Sequence, residues 1–450
     1  MTAAALTQDH LWLPFTPNRH FHQQPRVMVK ADGMHFTTQG GQQVLDGISS
    51  LWCVVAGHNQ APINEAITRQ LQTLDYATAF QFGTDRGFEA AQRIAAFAPG
   101  DLNKVLLCSS GSEAADTAIK LALAYHRARG QGHRQVFIGR ERGYHGVGLG
   151  GMSLGGIPGN RKVFGAAMLP RVDHMRFIHD PVNHAYIHGE LPDWADDPLL
   201  ELEQRILPLH DPSNVAAIFV EPVAGSAGWY IPPKGYLQRL REICDKHGIL
   251  LVFDEVITGF GRLGKPFAAD FFGVLPDMLT FAKGVTNGVI PLGGVLCREQ
   301  IHTAMMQTDA PLHAIEFAHG YTYSGHPVAC AAAVATLDVF EQQDLLARAS
   351  AAAPVLGDAV HAAIKGLPKV VGIRSLGLAA AVELAANAAA PGKAAYEIFL
   401  DCLAHGVLVR AAGDNLVLAP AYVVSPAQIA QMVDTLAAAI KRHADQVHAG

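Results

Sequence analysis

Ile249-Leu-Leu-Val-Phe-Asp-Glu-Val256 runs five consecutive apolar residues straight into two carboxylates. Five residues are too few for a helix, and apolar character at every position describes a strand buried on both faces, as in a parallel sheet covered by helices. Upstream, Leu237, Leu240, Ile243, Cys244 and His247 share one helical stripe that Gly248 closes, and Ala216-Ala-Ile-Phe-Val220 precedes them as another short apolar run. Strand, helix and strand in that order make a crossover unit. Similar runs stand at Lys104–Cys108, Gln135–Gly139, Met278–Ala282 and Gly293–Cys297. Residues 61–329 are therefore predicted to form a large α/β domain on a mostly parallel sheet, entered by a helix with Pro62 in its first turn.

The two ends read differently. Residues 1–60 form an arm punctuated by Pro14, Pro17 and Pro25, with short strands around turn signals at Ala31-Asp32-Gly33 and Gly40-Gly41. Past residue 330 the chain becomes Ala-rich and helical, crosses a Pro/Gly/Ala stretch from Ala385 to Gly392, and ends in a helix from Pro426. Residues 330–450 are expected to be a second, smaller domain.

Among 450 residues, 50% are hydrophobic and 16% charged. The low charged share predicts surface buried against another subunit, hence an oligomer. A net charge of −6, from 34 basic and 40 acidic residues without long runs of either sign, argues against nucleic acid as partner and for small molecules. The six cysteines lie far apart without a C-x-x-C, supporting neither a disulfide framework nor a zinc site, and no metal is expected. Met1 to His10 lacks a basic region followed by an apolar core, and no apolar run approaches the roughly 18 residues of a membrane span, so a cytoplasmic protein with no membrane partner is expected.

Three general motifs match without their context. Gly146-Val-Gly148-Leu-Gly-Gly151 fits a dinucleotide fingerprint, but Arg140 to Tyr144 separate it from the preceding strand and further glycines follow where a helix belongs; a Gly-rich loop is expected there. Gly151-Met-Ser153-Leu-Gly155 fits a hydrolase elbow with no strand feeding it. Gly259 to Lys265 has P-loop spacing, but Pro266 replaces the magnesium-binding hydroxyl, and Lys265 reads as solvated.

A more coherent set lies elsewhere. Ser109-Ser-Gly-Ser-Glu113 follows one strand and opens a helix, so free backbone N–H groups, serine hydroxyls and the helix dipole converge where a phosphate would sit. Asp254 ends the most apolar strand, where an unpaired carboxylate is expensive and a cationic partner is expected. Lys283 follows another apolar run and precedes Gly284; partial dehydration there lowers its pKa and makes it a nucleophile toward an aldehyde. Phosphate cup, carboxylate for a pyridine nitrogen and nucleophilic lysine together point to pyridoxal 5′-phosphate. Tyr144 offers an aromatic face for a flat ring, and Glu221 ends the 216–220 run where it can bond the cofactor or a cation.

These residues resemble a known family. Ser110-Gly-Ser-Glu113, Tyr144-His-Gly146, Glu221-Pro-Val-Ala-Gly225, Asp254-Glu-Val256 and Phe281-Ala-Lys283-Gly are similar to the subgroup III aminotransferases of the fold-type I pyridoxal-phosphate enzymes. Leu11-Trp-Leu-Pro-Phe-Thr16, Ser50-Leu-Trp52-Cys53, Pro232-Pro-Lys-Gly-Tyr236 and the Ile315–Pro327 segment resemble the ω-amino acid (β-alanine):pyruvate branch. The resemblance implies a seven-stranded, mostly parallel sheet between helices, with an α+β domain built from both chain ends. It implies that Lys283 bonds the cofactor covalently, Asp254 pairs with its ring nitrogen, and Val256 and Tyr144 pack on opposite ring faces. Ser110, Gly111 and Ser112 would hold the phosphate, with His145 and Glu221 also at the cofactor. Thr322 would reach the cofactor phosphate of the neighbouring subunit, implying a homodimer with shared sites that can pair into a tetramer. Arg410 would hold a substrate carboxylate and Trp52 would wall the amine pocket, although a core tryptophan is the plain alternative. Trp229 and Gly325 depart from the family's usual residues. The implied reaction moves an amino group from an ω-amino acid or primary amine to pyruvate; 4-aminobutyrate, diamine or ornithine-type donors are the near alternative, and a nicotinamide dehydrogenase or inactive scaffold the distant ones.

Overall fold

The computed structural model describes residues 10–194 and 197–448, so the Met1–His10 stretch lies outside the described residues except for its last member. Seven strands form the central sheet, in the order Lys104–Cys108, Gly293–Cys297, Met278–Phe281, Leu250–Asp254, Val215–Val220, Val136–Arg140, Val172–Met175. Only Gly293–Cys297 runs antiparallel to its neighbours. Ile218, Val220, Leu251 and Phe253 enter one core while Phe219, Leu250 and Val252 enter another. That division explains the unbroken apolar runs, since both sheet faces need apolar side chains.

The six codirectional strands bring their carboxyl ends to one edge, which is where open α/β sheets bind ligands. The Tyr236–His247 helix stops at Gly248, whose φ of +63° closes the helix in the left-handed region. The expected helices begin at Ala61 and Pro426.

Both ends of the chain share one sheet, because Val407–Leu408 pairs in parallel with Gln43–Asp46 of the N-terminal meander. A second sheet joins Arg410–Ala412, Asn415–Leu418, Ala380–Leu384, Val370–Ser375 and Tyr186–His188. The last strand comes from inside the 61–329 segment. The N-terminal arm contains a short helix, Asn18–Gln23, not expected from its prolines. Residues Leu149–Leu154 are also helical where a loop was expected; Gly150 and Gly151 permit this because a Cβ at either would collide with Asp116 or the His145 carbonyl. Lys265 is exposed. No helix among the described residues is long and apolar enough to cross a membrane.

Candidate active site

Ser110 caps the Gly111–Ala128 helix, its hydroxyl accepting from Glu113 N–H at 3.2 Å, while the Glu113 carboxylate accepts from Ser109 N–H at 2.7 Å. This is a capping box moved one residue back at its carboxylate end. It leaves the N–H groups of Gly111 and Ser112 without an acceptor among the described residues. The Ser112 hydroxyl accepts from Val147 N–H at 3.1 Å, tying the cup to the glycine-rich turn. Gly146 (φ +95°) makes that approach possible, since a Cβ there would lie 2.6 Å from Ser112 Cα. A Cβ on Gly111 would likewise meet Val256 at 2.9 Å. The glycines thus preserve a space between the cup and the loop after Asp254.

Asp254 is only 7% exposed. Its partner is the His145 imidazole, where a cation was expected: Nδ1–H donates to Oδ2 at 2.8 Å, while Val256 N–H donates to Oδ1 at 3.1 Å. His145 Nε2 is buried without a partner, so the imidazole is committed to the carboxylate. Glu221, immediately after its strand, accepts from the N–H groups of Tyr144 and Gly225, each at 3.0 Å. Both oxygens therefore hold backbone, and the carboxylate fixes the turn that presents Tyr144 and His145. Burial pushes the Glu221 pKa up.

Lys283 lies two residues beyond the Met278–Phe281 strand, in a 3₁₀ turn, with φ of +52°. A left-handed lysine costs roughly 1–2 kcal/mol, and its surroundings impose it. Asn287 ends the same turn; its side chain accepts from Ala56 N–H and donates to Gly57 carbonyl, both at 2.8 Å, locking the turn to the N-terminal segment. Burial lowers the Lys283 pKa; the Cys53 thiol and the Asp254 and Glu221 carboxylates oppose that effect. Arg410 starts its strand half-buried, with burial lowering its pKa, and no carboxylate pairs with it among the described residues.

The structure thus gathers Asp254, His145, Glu221, Tyr144, Lys283 and Arg410 within one another's electrostatic reach, with Val256 bonded to Asp254 and packed toward Gly111 beside the serine cup. Thr322 faces outward, exposed, its carbonyl accepting from the Tyr76 hydroxyl at 2.7 Å. Trp52 is 3% exposed and stacks on fully buried Trp229 at 5.3 Å and 22°. Trp229 Nε1–H donates to the Leu376 carbonyl at 3.2 Å, and Arg262 covers Trp52 from another side. Gly325, the other departure, has φ of +64°, which suits glycine. Asn287 and Arg262 escaped the sequence reading because both act on segments more than two hundred residues away.

The residues fit pyridoxal phosphate: two N–H groups without acceptors beside serine hydroxyls suit its phosphate, buried Asp254 suits a protonated pyridine nitrogen, and a dehydrated lysine suits its aldehyde. Residues 16–440 match the family model of class-III aminotransferases. An ω-aminotransferase of Caulobacter vibrioides is 49% identical over 95% of this chain and 96% of its own. A β-alanine–pyruvate aminotransferase of Pseudomonas aeruginosa is 45% identical over 95% of each. The solved ω-transaminase of Pseudomonas jessenii in complex with PMP superposes with a TM-score of 0.90 at 28% identity, over 98% of both chains. The chain belongs to the class-III aminotransferases, enzymes that depend on pyridoxal phosphate.

Proposed function

We propose that this enzyme moves the amino group of an ω-amino acid or primary amine, β-alanine among them, to pyruvate, giving an aldehyde or ketone and alanine. The carrying observation is the meeting of Lys283, Asp254 and Arg410 at the carboxyl edge of the sheet, beside a cup for phosphate. When bound, pyridoxal phosphate supplies an aldehyde that takes up the amino group and a ring that accepts the electron pair left when the donor carbon loses its proton.

The chain's own residues do the rest. Ser110, Gly111 and Ser112 hold the phosphate. Asp254, kept in place by His145 and Val256 N–H, would hold the proton on the ring nitrogen, and Tyr144 and Val256 would pack on the ring. Lys283 would bond the cofactor aldehyde and, when free of it, would carry the proton between donor carbon and cofactor, a task suited to an amine whose pKa burial lowers. Glu221 positions Tyr144 through its N–H. Arg410 binds the carboxylate of pyruvate or of an amino-acid donor, a role suited to an unpaired fork of donors. Trp52 supports the pocket from its stack on Trp229.

The site is assigned to a homodimer in which Thr322 serves the partner's phosphate. Exposed Phe82 and Phe88, which line one groove with Gly320, Ser324 and Gly325 of the Thr322 segment, support this, because contiguous exposed apolar surface marks an interface. Pairing of dimers into a tetramer, a cytoplasmic location, and a division at residues 60 and 330 belong to the same reading. Alanine formation from pyruvate with β-alanine, 4-aminobutyrate, putrescine or an aromatic amine tests it. β-Alanine-dependent alanine supports the reading, and transfer only to 2-oxoglutarate overturns it.

A further inference from the structure

Arg140 ends the Val136–Arg140 strand and is only 1% exposed. One guanidinium nitrogen donates to the Glu221 carbonyl at 2.9 Å, while Nε and Nη1 are buried without a partner among the described residues. A buried cation that bonds no carboxylate is costly unless a negative charge lies within reach. Its charge reaches two ionisable groups, the Tyr236 phenol and the Glu221 carboxylate. Burial pushes the phenol pKa up and keeps it neutral. Only Glu221 can supply the balancing negative charge.

Glu221 needs Arg140 in return. Burial pushes its pKa up and Asp254 adds to that, while His145, Arg140 and the Tyr144 N–H pull the other way. The His145 imidazole is already bonded to Asp254 at 2.8 Å. Lys283 and Tyr144 also face Glu221, but neither a lysine dehydrated by burial nor a neutral phenol supplies a dependable positive charge. Both Glu221 oxygens nevertheless accept backbone N–H groups, the pattern of an ionised carboxylate. The contacts close a ring. The Arg140 carbonyl accepts from Gly143 N–H at 2.9 Å, the chain then delivers Tyr144 N–H to the Glu221 carboxylate, and the Glu221 carbonyl returns to the Arg140 side chain.

Resting on the placement of Tyr144 and His145 at the cofactor proposed above, we propose that Arg140 is a positioning residue: it is the buried counter-charge that keeps Glu221 ionised, and so keeps the turn carrying Tyr144 and His145 fixed against the cofactor.

Losing Arg140 raises the folded-state pKa of Glu221 further above its unfolded value. Between the two values the folded protein holds a proton that the unfolded chain lacks, so stability from this group falls as pH rises. Calorimetric scans of holoenzyme in excess pyridoxal phosphate, from about pH 5 to about pH 8, compare wild type, Arg140→Met, Arg140→Lys, Glu221→Gln and Arg140→Met with Glu221→Gln. The gap in melting temperature between wild type and Arg140→Met should widen by about 1–2 °C across that range, the size of a rise of about one pKa unit in a chain this long. Arg140→Lys should track wild type, and in the Glu221→Gln background the gap should stay flat with pH. Release of cofactor on dialysis, followed by absorbance, should be about tenfold faster in Arg140→Met and partly restored in Arg140→Lys. A gap independent of pH, or one that still widens with Glu221→Gln, overturns the pairing; cofactor release at the wild-type rate overturns the positioning role. Should Arg140→Met not fold, soluble protein from the double variant is the expected result, and its absence overturns the pairing. No amine donor enters these measurements, so failure to transfer amino groups to pyruvate would overturn the function proposed above and leave the role of Arg140 standing.

Discussion

Replacing Trp229 with valine removes a side chain that joins three parts of the molecule. The indole is fully buried, stacks on Trp52, and donates to the Leu376 carbonyl. A cavity of roughly 90 Å³ at about 24 cal/mol per Å³ costs about 2 kcal/mol. The lost stack contributes about 1 kcal/mol, and the lost hydrogen bond about 1 kcal/mol more. At about 2.1 cal/mol/K of unfolding entropy per residue, each kcal/mol moves the melting temperature of a 450-residue chain by about 1 °C. Trp229→Val should therefore melt about 4 °C lower, while Trp229→Phe, which keeps most of the volume and the stack, should lose only about 1–2 °C. Calorimetric scans of the three holoenzymes at one scan rate measure this. A valine variant within 1 °C of wild type, or a phenylalanine variant as damaged as the valine one, would refute the assignment of the stack. Three nearby residues, Ser49, Ser50 and Trp52, have φ between +51° and +66°. A strained turn of that kind persists only while its packing holds it.

Other expectations concern the chemistry. Arg410→Ala should lower kcat/KM for pyruvate and β-alanine by about 10–150-fold, the equivalent of 1.5–3 kcal/mol for a hydrogen bond to charge, and leave the half-reaction with pentylamine within a few-fold; equal loss for both donors would contradict its role. Gly146→Ala forces a Cβ against Ser112 in a left-handed backbone, so cofactor dissociation, followed by dialysis and absorbance, should be at least about tenfold faster than in wild type. Burial lowers the Lys283 pKa, so between that value and the ordinary lysine value unfolding takes up a proton, and apoprotein stability from this group rises with pH. Lys283→Met should remove that slope in denaturant titrations; an unchanged wild-type-minus-variant difference across the window would count against a buried, largely neutral amine.

Much of this arrangement was legible because burial on both faces leaves an unmistakable pattern. The 104–108 and 293–297 strands match their apolar runs at both ends, and the others shift by a residue or so because a run does not mark where pairing stops. The cup at Ser110 and the carboxylate at Asp254 were visible for a related reason: each closes a strand on the ligand edge. What escaped depends on contacts distant in sequence. His145 and Asp254 were both singled out, but nothing in 109 intervening residues says that one holds the other. Glu221 read as a partner of the cofactor or of a cation, and its bonds to Tyr144 and Gly225 N–H become visible only when the 144 turn folds over the sheet edge. Nothing in the sequence says that Trp52 stacks on Trp229. Tyr186–His188 is too short to show periodicity and becomes a strand only by pairing with Ile373–Ser375.

Covalent capture of the cofactor at Lys283 tests the central assignment most directly. Borohydride reduction of the holoenzyme followed by peptide mapping should place the pyridoxyl mass on the peptide containing Lys283 and on no other. A label on Lys265, or on no lysine, would contradict the account.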